Sequence, residues 1–124
     1  MWFLGRKIDD QDWHDLNSKV INMTRENRLV DALVSAKELF ALSKTNYGKK
    51  HVNMATALNN LGIIHSLRKE FDEAESYLLA ALQISERVSG KVSKEVATVN
   101  MNLARLYTMK SKAINEAIEA AAIT

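Results

Sequence analysis

The chain has 124 residues, 47% hydrophobic and 26% charged, a composition typical of one globular domain or one short array of repeats. Its formal net charge of +2 is too nearly balanced to predict a nucleic-acid or membrane-surface partner. The absence of cysteine excludes disulfides and thiolate chemistry, and no apolar stretch approaches the roughly 20 residues of a membrane span. Because no targeting signal is visible, we expect a cytoplasmic protein.

Residues 1–9 are expected to form an N-terminal extension. The apolar segment 1–4 within it is too short for a signal peptide and could dock on a neighbouring surface. The rest of the chain is predicted to be nearly all helix, because it contains no proline and the whole sequence has only four glycines.

The first predicted helix runs from about Asp10 to Glu26, with Asp9 or Asp10 as its N-cap. A short turn at residues 27–28 leads into a second helix from about Leu29 to Thr45, whose apolar residues follow the 3.6-residue period. Gly48 is the expected left-handed stop after this helix.

A second helix pair begins near Asn53 and turns at residues 68–70. Its second helix is predicted to start at Asp72, acting as the cap, and to stop at Gly90. In the third pair Ser93 caps the first helix, residues 109–112 make the turn, and a final helix spans 113–123. His51, in the loop before the second pair, is expected to be solvated.

The sequence of residues 53–61 returns as residues 95–103, so that Ala55 recurs as Ala97 and Asn60 as Asn102. A fixed period of this size indicates a solenoid of helical hairpins, with units at about 10–48, 52–90 and 93–124. The short turns within each pair predict antiparallel neighbouring helices. Gly62 lies inside a predicted helix, where we expect close packing of a neighbouring helix rather than a tolerated defect.

The spacing of Leu58, Leu61, Gly62 and His65, followed by small residues at 74 and 81, resembles the tetratricopeptide repeat. The 42-residue period is similar to that of the longer subtype found in kinesin light chains, although the proline usual in its inter-repeat loop is missing. The resemblance implies an all-α, right-handed superhelical solenoid of three antiparallel helix hairpins. The first unit departs from the pattern at residues 19–20, as expected of a terminal capping unit.

In such arrays the exposed faces of the first helices line a concave groove that binds proteins. The candidate peptide-binding residues on those faces are Asn17, Thr56, Asn59, Asn60, Ile63, Thr98, Met101, Asn102 and Arg105. The matching faces also carry His14, Ile21, Thr24, Arg25 and Ser66.

The asparagines are the main candidates for gripping a peptide backbone, because an amide side chain both donates and accepts hydrogen bonds. Apolar pockets would come from Ile21, Ile63 and Met101. The alternative is that the asparagines are simply polar surface. Some members of the family that this chain resembles clamp a C-terminal carboxylate with Lys and Arg at fixed groove positions. Uncharged residues occupy the matching positions 17, 98 and 102 here, so the resemblance implies an internal, extended segment as ligand.

No catalytic motif, cofactor site or metal site is predicted. His14, His51 and His65 have neither metal-ligand spacing nor acidic companions, and His65 is expected to be a packing residue. The predicted function is therefore a non-enzymatic scaffold or adaptor for a protein or peptide partner, with no nucleic acid or membrane involved.

Two other roles stay open. The last predicted helix carries an apolar stripe with no later helix to cover it, which favours either a fragment of a longer array or self-association through Ile114 and Ile118. The chain could therefore be a self-assembling structural array, or a regulatory fragment of a larger multidomain protein. The alternative is that this alanine-rich helix needs no cover and frays at its end.

Overall fold

The computed structural model describes residues 9–123 in full and, in addition, the backbone of residues 2–3 and 6–7. Strands β1 (Trp2–Phe3) and β2 (Arg6–Lys7) pair antiparallel, with Trp2 opposite Lys7 and Phe3 opposite Arg6. The predicted docking of segment 1–4 lies outside what is described of these residues.

Apart from this short ladder the described chain is all-α, as predicted. Its five helices are α1 (Asp10–Arg25), α2 (Leu29–Asn46), α3 (Val52–Leu67), α4 (Phe71–Ser89) and α5 (Lys94–Ile123). The first helices begin at positions 10, 52 and 94 and the second helices at 29 and 71, so both layers repeat at the same spacing. The helices form a repeat solenoid in which α1 lies beside α3 and α3 beside α5.

Two buried clusters share α3. One cluster lies between α1, α2 and α3 and centres on Trp13, Leu39 and Ile64. The other lies between α3, α4 and α5 and centres on Leu78 and Leu106. Because α3 contributes side chains to both clusters, it is the most deeply buried helix. It joins the α1–α2 hairpin on one side to α4 and α5 on the other.

The helix boundaries follow local signals in the sequence. Asp9 caps α1 through a capping box, in which its side chain accepts from the Asp12 backbone N–H and the Asp12 carboxylate accepts from the Asp9 N–H. The Ser93 hydroxyl oxygen accepts from the Val96 N–H at the start of α5. Gly48 and Gly90 have φ of +84° and +87°. The predicted caps at Asp9 and Ser93 and the two glycine stops are therefore confirmed.

Both hairpin turns are Schellman motifs built on a residue with positive φ, Asn27 (59°) and Lys69 (63°). In the second turn the backbone N–H of Glu70 donates to the His65 carbonyl at 2.9 Å, and that of Lys69 donates to the Ser66 carbonyl at 3.0 Å. The predicted turns at 27–28 and 68–70 are confirmed by these contacts.

The predicted cap at Asp72 is wrong. The Schellman turn ends at Glu70, so α4 can begin at once with Phe71, and its N-cap Glu70 makes no side-chain capping bond. Asp72 lies instead in the first turn of α4, where a carboxylate is favourable to the helix dipole. The expectation that His51 is solvated is also wrong, because its half-buried ring caps α3 by accepting from the Asn53 N–H at 2.9 Å.

The predicted turn at residues 109–112 does not form, and α5 continues unbroken to Ile123. Ser111 occupies the position of Asn27 and Lys69 one period later. A left-handed conformation there costs about 1–2 kcal/mol for a residue with a side chain. The segment that follows, 113–123, is rich in alanine and offers little apolar area to offset that cost, so the helix stays straight.

Close packing at Gly62 is confirmed. A Cβ added there would lie 2.5 Å from the Cγ and Cδ2 atoms of Leu78 and 3.3 Å from the Ala74 carbonyl oxygen. Ala104, the equivalent residue of α5, is exposed, and no described helix packs across it. The third unit therefore presents a first helix without the second helix that covers α3.

Candidate peptide-binding groove

The exposed faces of α1, α3 and α5 line a groove made of two adjoining cavities. The larger has a volume of about 450 Å³ and the smaller about 280 Å³. Ile21 and Asn60 line both cavities, so the two cavities are adjacent parts of one groove. Because the helices repeat at a constant spacing, the same face of each first helix points toward this groove.

Most of the residues that the sequence assigned to the groove line it. The larger cavity contains Ile21, Thr24, Arg25, Asn60, Ile63, Ser66, Asn102 and Arg105. The smaller contains Thr56, Asn59 and Thr98, in addition to the two shared residues. These side chains come from three helices that are far apart in the sequence.

Three predicted positions do not line either cavity. Asn17 is joined to the groove by the hydrogen bond that it accepts from Asn60. Met101 is 57% exposed on α5, and His14 is exposed with its ring edge-to-face against Trp13, at a centroid distance of 5.1 Å.

The asparagines form ties between neighbouring first helices. Asn60 Nδ2 donates to Asn17 Oδ1 at 2.6 Å, which joins α3 to α1. Asn102 Nδ2 donates to Asn59 Oδ1 at 3.0 Å, which joins α5 to α3. Asn60 and Asn102 are buried, so these side chains are more than polar surface. Each donating amide group retains a second N–H and its oxygen for another partner.

The threonines of the groove are fixed by their own helices. Thr24, Thr56 and Thr98 each donate a hydrogen bond from Oγ1 to the carbonyl four residues earlier, at 2.7, 3.1 and 3.0 Å. Ser66 does the same to the carbonyl of Gly62 at 2.8 Å. These hydroxyl groups can still accept a hydrogen bond, because donation leaves the lone pairs of the oxygen available.

Sequence reasoning missed part of the apolar lining. Leu67, Leu106 and Met109 line the larger cavity. Met109 was assigned to a turn, and only the continuation of α5 places it on the groove side. The 3.6-residue period continued from Arg105 would have included Met109, since residues four apart share a helix face.

The charges in the groove are unevenly distributed. Arg25 and Arg105 line the larger cavity, and no aspartate or glutamate lies among the residues that line it. The smaller cavity has both Lys94 and Glu95 in its lining. The larger cavity is therefore positive, whereas the smaller has no net formal charge from its lining.

His65 is a packing residue, as predicted, but the expectation that it has no acidic companion is wrong, because the hairpin turn brings Glu70 to its ring. It is buried with its ring stacked on Tyr77 at a centroid distance of 5.3 Å, and its Nδ1 lies 3.2 Å from Glu70 Oε1. Arg68 also contacts Glu70, and the hydrogen bond from Arg68 holds the pKa of the Glu70 carboxyl below its usual value. Within residues 9–123, no three histidine or acidic side chains come together in a way that could hold a metal ion.

The hydropathy of the helices bears on membrane insertion. None of the helices in the described part of the chain combines the length and the apolar composition that crossing a bilayer requires.

A comparison with known protein families shows to which class of protein this chain belongs. The family model of the tetratricopeptide repeat matches residues 53–122, which span α3, α4 and nearly all of α5. The chain belongs to the tetratricopeptide repeat family, whose members generally mediate protein–protein interaction.

The relatives are large fungal proteins. The chain is 31% identical over 78 residues to clustered mitochondria protein homologues from Aspergillus fumigatus, Neosartorya fischeri and Aspergillus clavatus. The similarity covers 63% of this chain and 6% of each relative. The chain therefore corresponds to a small part of the length of the relatives that it matches.

Proposed function

We propose that this chain is a non-enzymatic scaffold that holds an extended segment of a partner protein in the groove between α1, α3 and α5. The observation that carries the proposal is the groove itself, in which apolar side chains and amide groups from three first helices line one channel. Extended grooves of this kind are the surfaces that helical-repeat proteins use for binding.

The proposal assigns different tasks to the lining residues. Ile63, Leu67 and Met109 would take an apolar side chain of the ligand, because they line the larger cavity together. Asn60 and Asn102 would pair with the ligand backbone through the N–H and oxygen that their hydrogen bonds to Asn17 and Asn59 leave available. Recognition of the backbone would let the groove accept an internal segment.

The proposal includes the longer-period subtype and the unit boundaries 10–48, 52–90 and 93–124. The spacing of the helix starts, which is the same for first and second helices, supports this assignment. It also includes a cytoplasmic location and a protein partner rather than nucleic acid or membrane, which the near-neutral charge supports.

The test is selection of ligands from a displayed library of random 12-residue peptides by the purified chain. Ile63→Lys places a charge among the apolar residues of the larger cavity and should abolish binding of the selected peptides. Val30→Lys is the matched control, because Val30 is 68% exposed on α2 and lines neither cavity. Peptides that bind the Ile63→Lys variant as well as the parent chain would refute the groove.

A second candidate function is self-assembly through the end of α5. Ile114 and Ile118 are 50% and 61% exposed, and they lie four residues apart on one face. Two copies pairing through this face would form a closed two-fold contact. Sedimentation velocity over a range of concentrations tests it. Ile118→Glu should convert a dimer to a monomer, whereas Val92→Glu, at a fully exposed loop position, should not.

A further inference from the structure

The larger cavity brings together two guanidinium groups that have no acidic partner. Arg25 comes from α1 and Arg105 from α5, and both line the same cavity. Neither forms an ion pair with any of residues 9–123, whereas Arg28 and Arg68 elsewhere on the surface pair with nearby carboxylates. Arg87, on α4 outside the groove, has no ion pair in residues 9–123 either, so the particular feature of Arg25 and Arg105 is that they share one cavity whose lining contains no carboxylate.

Helix electrostatics explains only one of the two arginines. Arg25 lies in the last turn of α1, where a cation stabilises the helix by interacting with its dipole. Arg105 lies in the interior of the 30-residue helix α5, where the dipole offers no such stabilisation. The charge of the exposed Arg105 is therefore not engaged by a helix dipole and is available to a ligand.

The surroundings of these arginines would strengthen their interaction with an anion. Ile63, Leu67 and Leu106 line the same cavity, so a ligand bound there would exclude water from the charged groups. Opposite charges attract more strongly in such a partly apolar environment than in bulk water. A guanidinium group also matches a carboxylate geometrically, because it can donate two parallel hydrogen bonds.

We propose that the larger cavity selects a partner segment that carries an acidic side chain beside an apolar one. The carboxylate would lie between Arg25 and Arg105, and the apolar side chain would contact Ile63 and Met109. This inference rests on the proposed peptide-binding function and names the chemistry of its ligand. The carboxylate is that of a side chain inside the segment, and the test below separates it from the carboxylate of a free chain end.

Pools of synthetic peptides with controlled charge test the proposal. Each pool contains 12-residue peptides with acetylated and amidated ends, random positions that omit all charged residues, and a sixth residue fixed as Glu, Gln or Lys. Capture of each labelled pool by the immobilised chain is measured. The Glu pool should bind about tenfold more strongly than the Gln pool, the ratio expected for one charge-assisted pair of hydrogen bonds.

The arginine variants locate the effect. Arg25→Gln and Arg105→Gln together should bring the Glu pool down to the binding of the Gln pool and leave the Gln pool unchanged. Arg87→Gln is the control for each single substitution at Arg25 or Arg105, because it removes one positive charge from α4 and Arg87 lines neither cavity. Circular dichroism of each variant verifies that the helices are retained.

The outcomes separate this inference from the proposed function. If the Glu and Gln pools bind equally and Ile63→Lys abolishes the binding of both, the selection for an acidic side chain is overturned. The proposed peptide-binding function is then retained. A preference for Glu that Arg87→Gln reduces as much as the groove variants do would overturn it as a general charge effect. Stronger binding of a Gln pool with a free C-terminal carboxylate would assign the site to chain ends instead. Failure of every pool to bind would overturn both proposals.

Discussion

The side chain of Asn60 donates a hydrogen bond of 2.6 Å to the side chain of Asn17, and this contact joins the first helices of two successive units. The equivalent contact from Asn102 to Asn59 recurs one unit later. The amides chosen from the sequence as peptide grips therefore also fix the spacing of the helices that form the groove. Tests of binding are consequently sharper at Ile63 or Arg105 than at the asparagines.

Replacing Asn60 should weaken the protein itself. Asn60→Ala removes a buried donor and leaves the half-buried Asn17 oxygen without this partner, which should lower the free energy of unfolding by about 1–3 kcal/mol. Urea unfolding followed by circular dichroism measures the loss. Asn100→Ala is the control, because Asn100 is exposed on α5 and the same gain in helix propensity applies to it. Equal stability of the two variants would argue against the tie.

Gly62→Ala should destabilise the protein, although alanine is normally the better helix former. The added Cβ would lie 2.5 Å from Leu78, which is completely buried and cannot move aside without disturbing the core. Overpacking of this kind costs about 1–3 kcal/mol, more than the roughly 1 kcal/mol gained in helix propensity. Thermal unfolding measures the balance.

A second substitution tests the cause. In a Leu78→Ala background the space is vacated, and Gly62→Ala should become neutral or stabilising. Ala104→Gly at the equivalent, exposed site of α5 should cost only the propensity difference of about 1 kcal/mol. A stabilising Gly62→Ala in the parent chain would show that α3 and α4 are farther apart than described.

Glycine substitutions distinguish a turn from a continuous helix. Lys69→Gly should stabilise the protein by about 1 kcal/mol, because Lys69 has a φ of 63° and glycine adopts this conformation without strain. Ser111→Gly should destabilise the protein by about 0.5 kcal/mol, because Ser111 lies inside α5, where glycine disfavours the helix. Chemical denaturation measures both effects. A stabilising Ser111→Gly would mean that the third unit turns after all.

Tyr47 should make stability depend on pH in the alkaline range. The pKa of Tyr47 is raised from 10.0 to about 12, chiefly by burial and secondly by the hydrogen bond that its hydroxyl donates to Asp10. The folded state thus favours the protonated phenol. This contribution is fully present below pH 10 and is lost as the pH rises from 10 to about 12.

Absorbance titration of the tyrosines checks the assignment. The transition near pH 12 should disappear in Tyr47→Phe, and the free energy of unfolding of that variant should fall less steeply between pH 10 and 12. Asp10→Asn should move the Tyr47 transition toward lower pH, because it removes the neighbouring carboxylate. A Tyr47 transition that stayed near pH 10 in the parent chain would contradict this.

The sequence by itself determined the local features. An N-cap at Asp9 or Asp10, the glycine stops at Gly48 and Gly90, and the close approach at Gly62 were predicted, and the structure has the cap at Asp9 and the other features as predicted. Each depends on a few neighbouring residues or on the repeat period, and both are visible along the chain. The face of each first helix followed from the same period, so most of the groove lining was also predicted.

Only the tertiary structure decided the rest. The ties between Asn60 and Asn17 and between Asn102 and Asn59 depend on how closely two helices approach, which no local pattern specifies. The continuation of α5 through Ser111 depends on a balance between the cost of a left-handed residue and the packing that a following helix would gain. That balance favoured the turn at Lys69, where α4 packs on α3, and the straight helix at Ser111, where an alanine-rich segment follows.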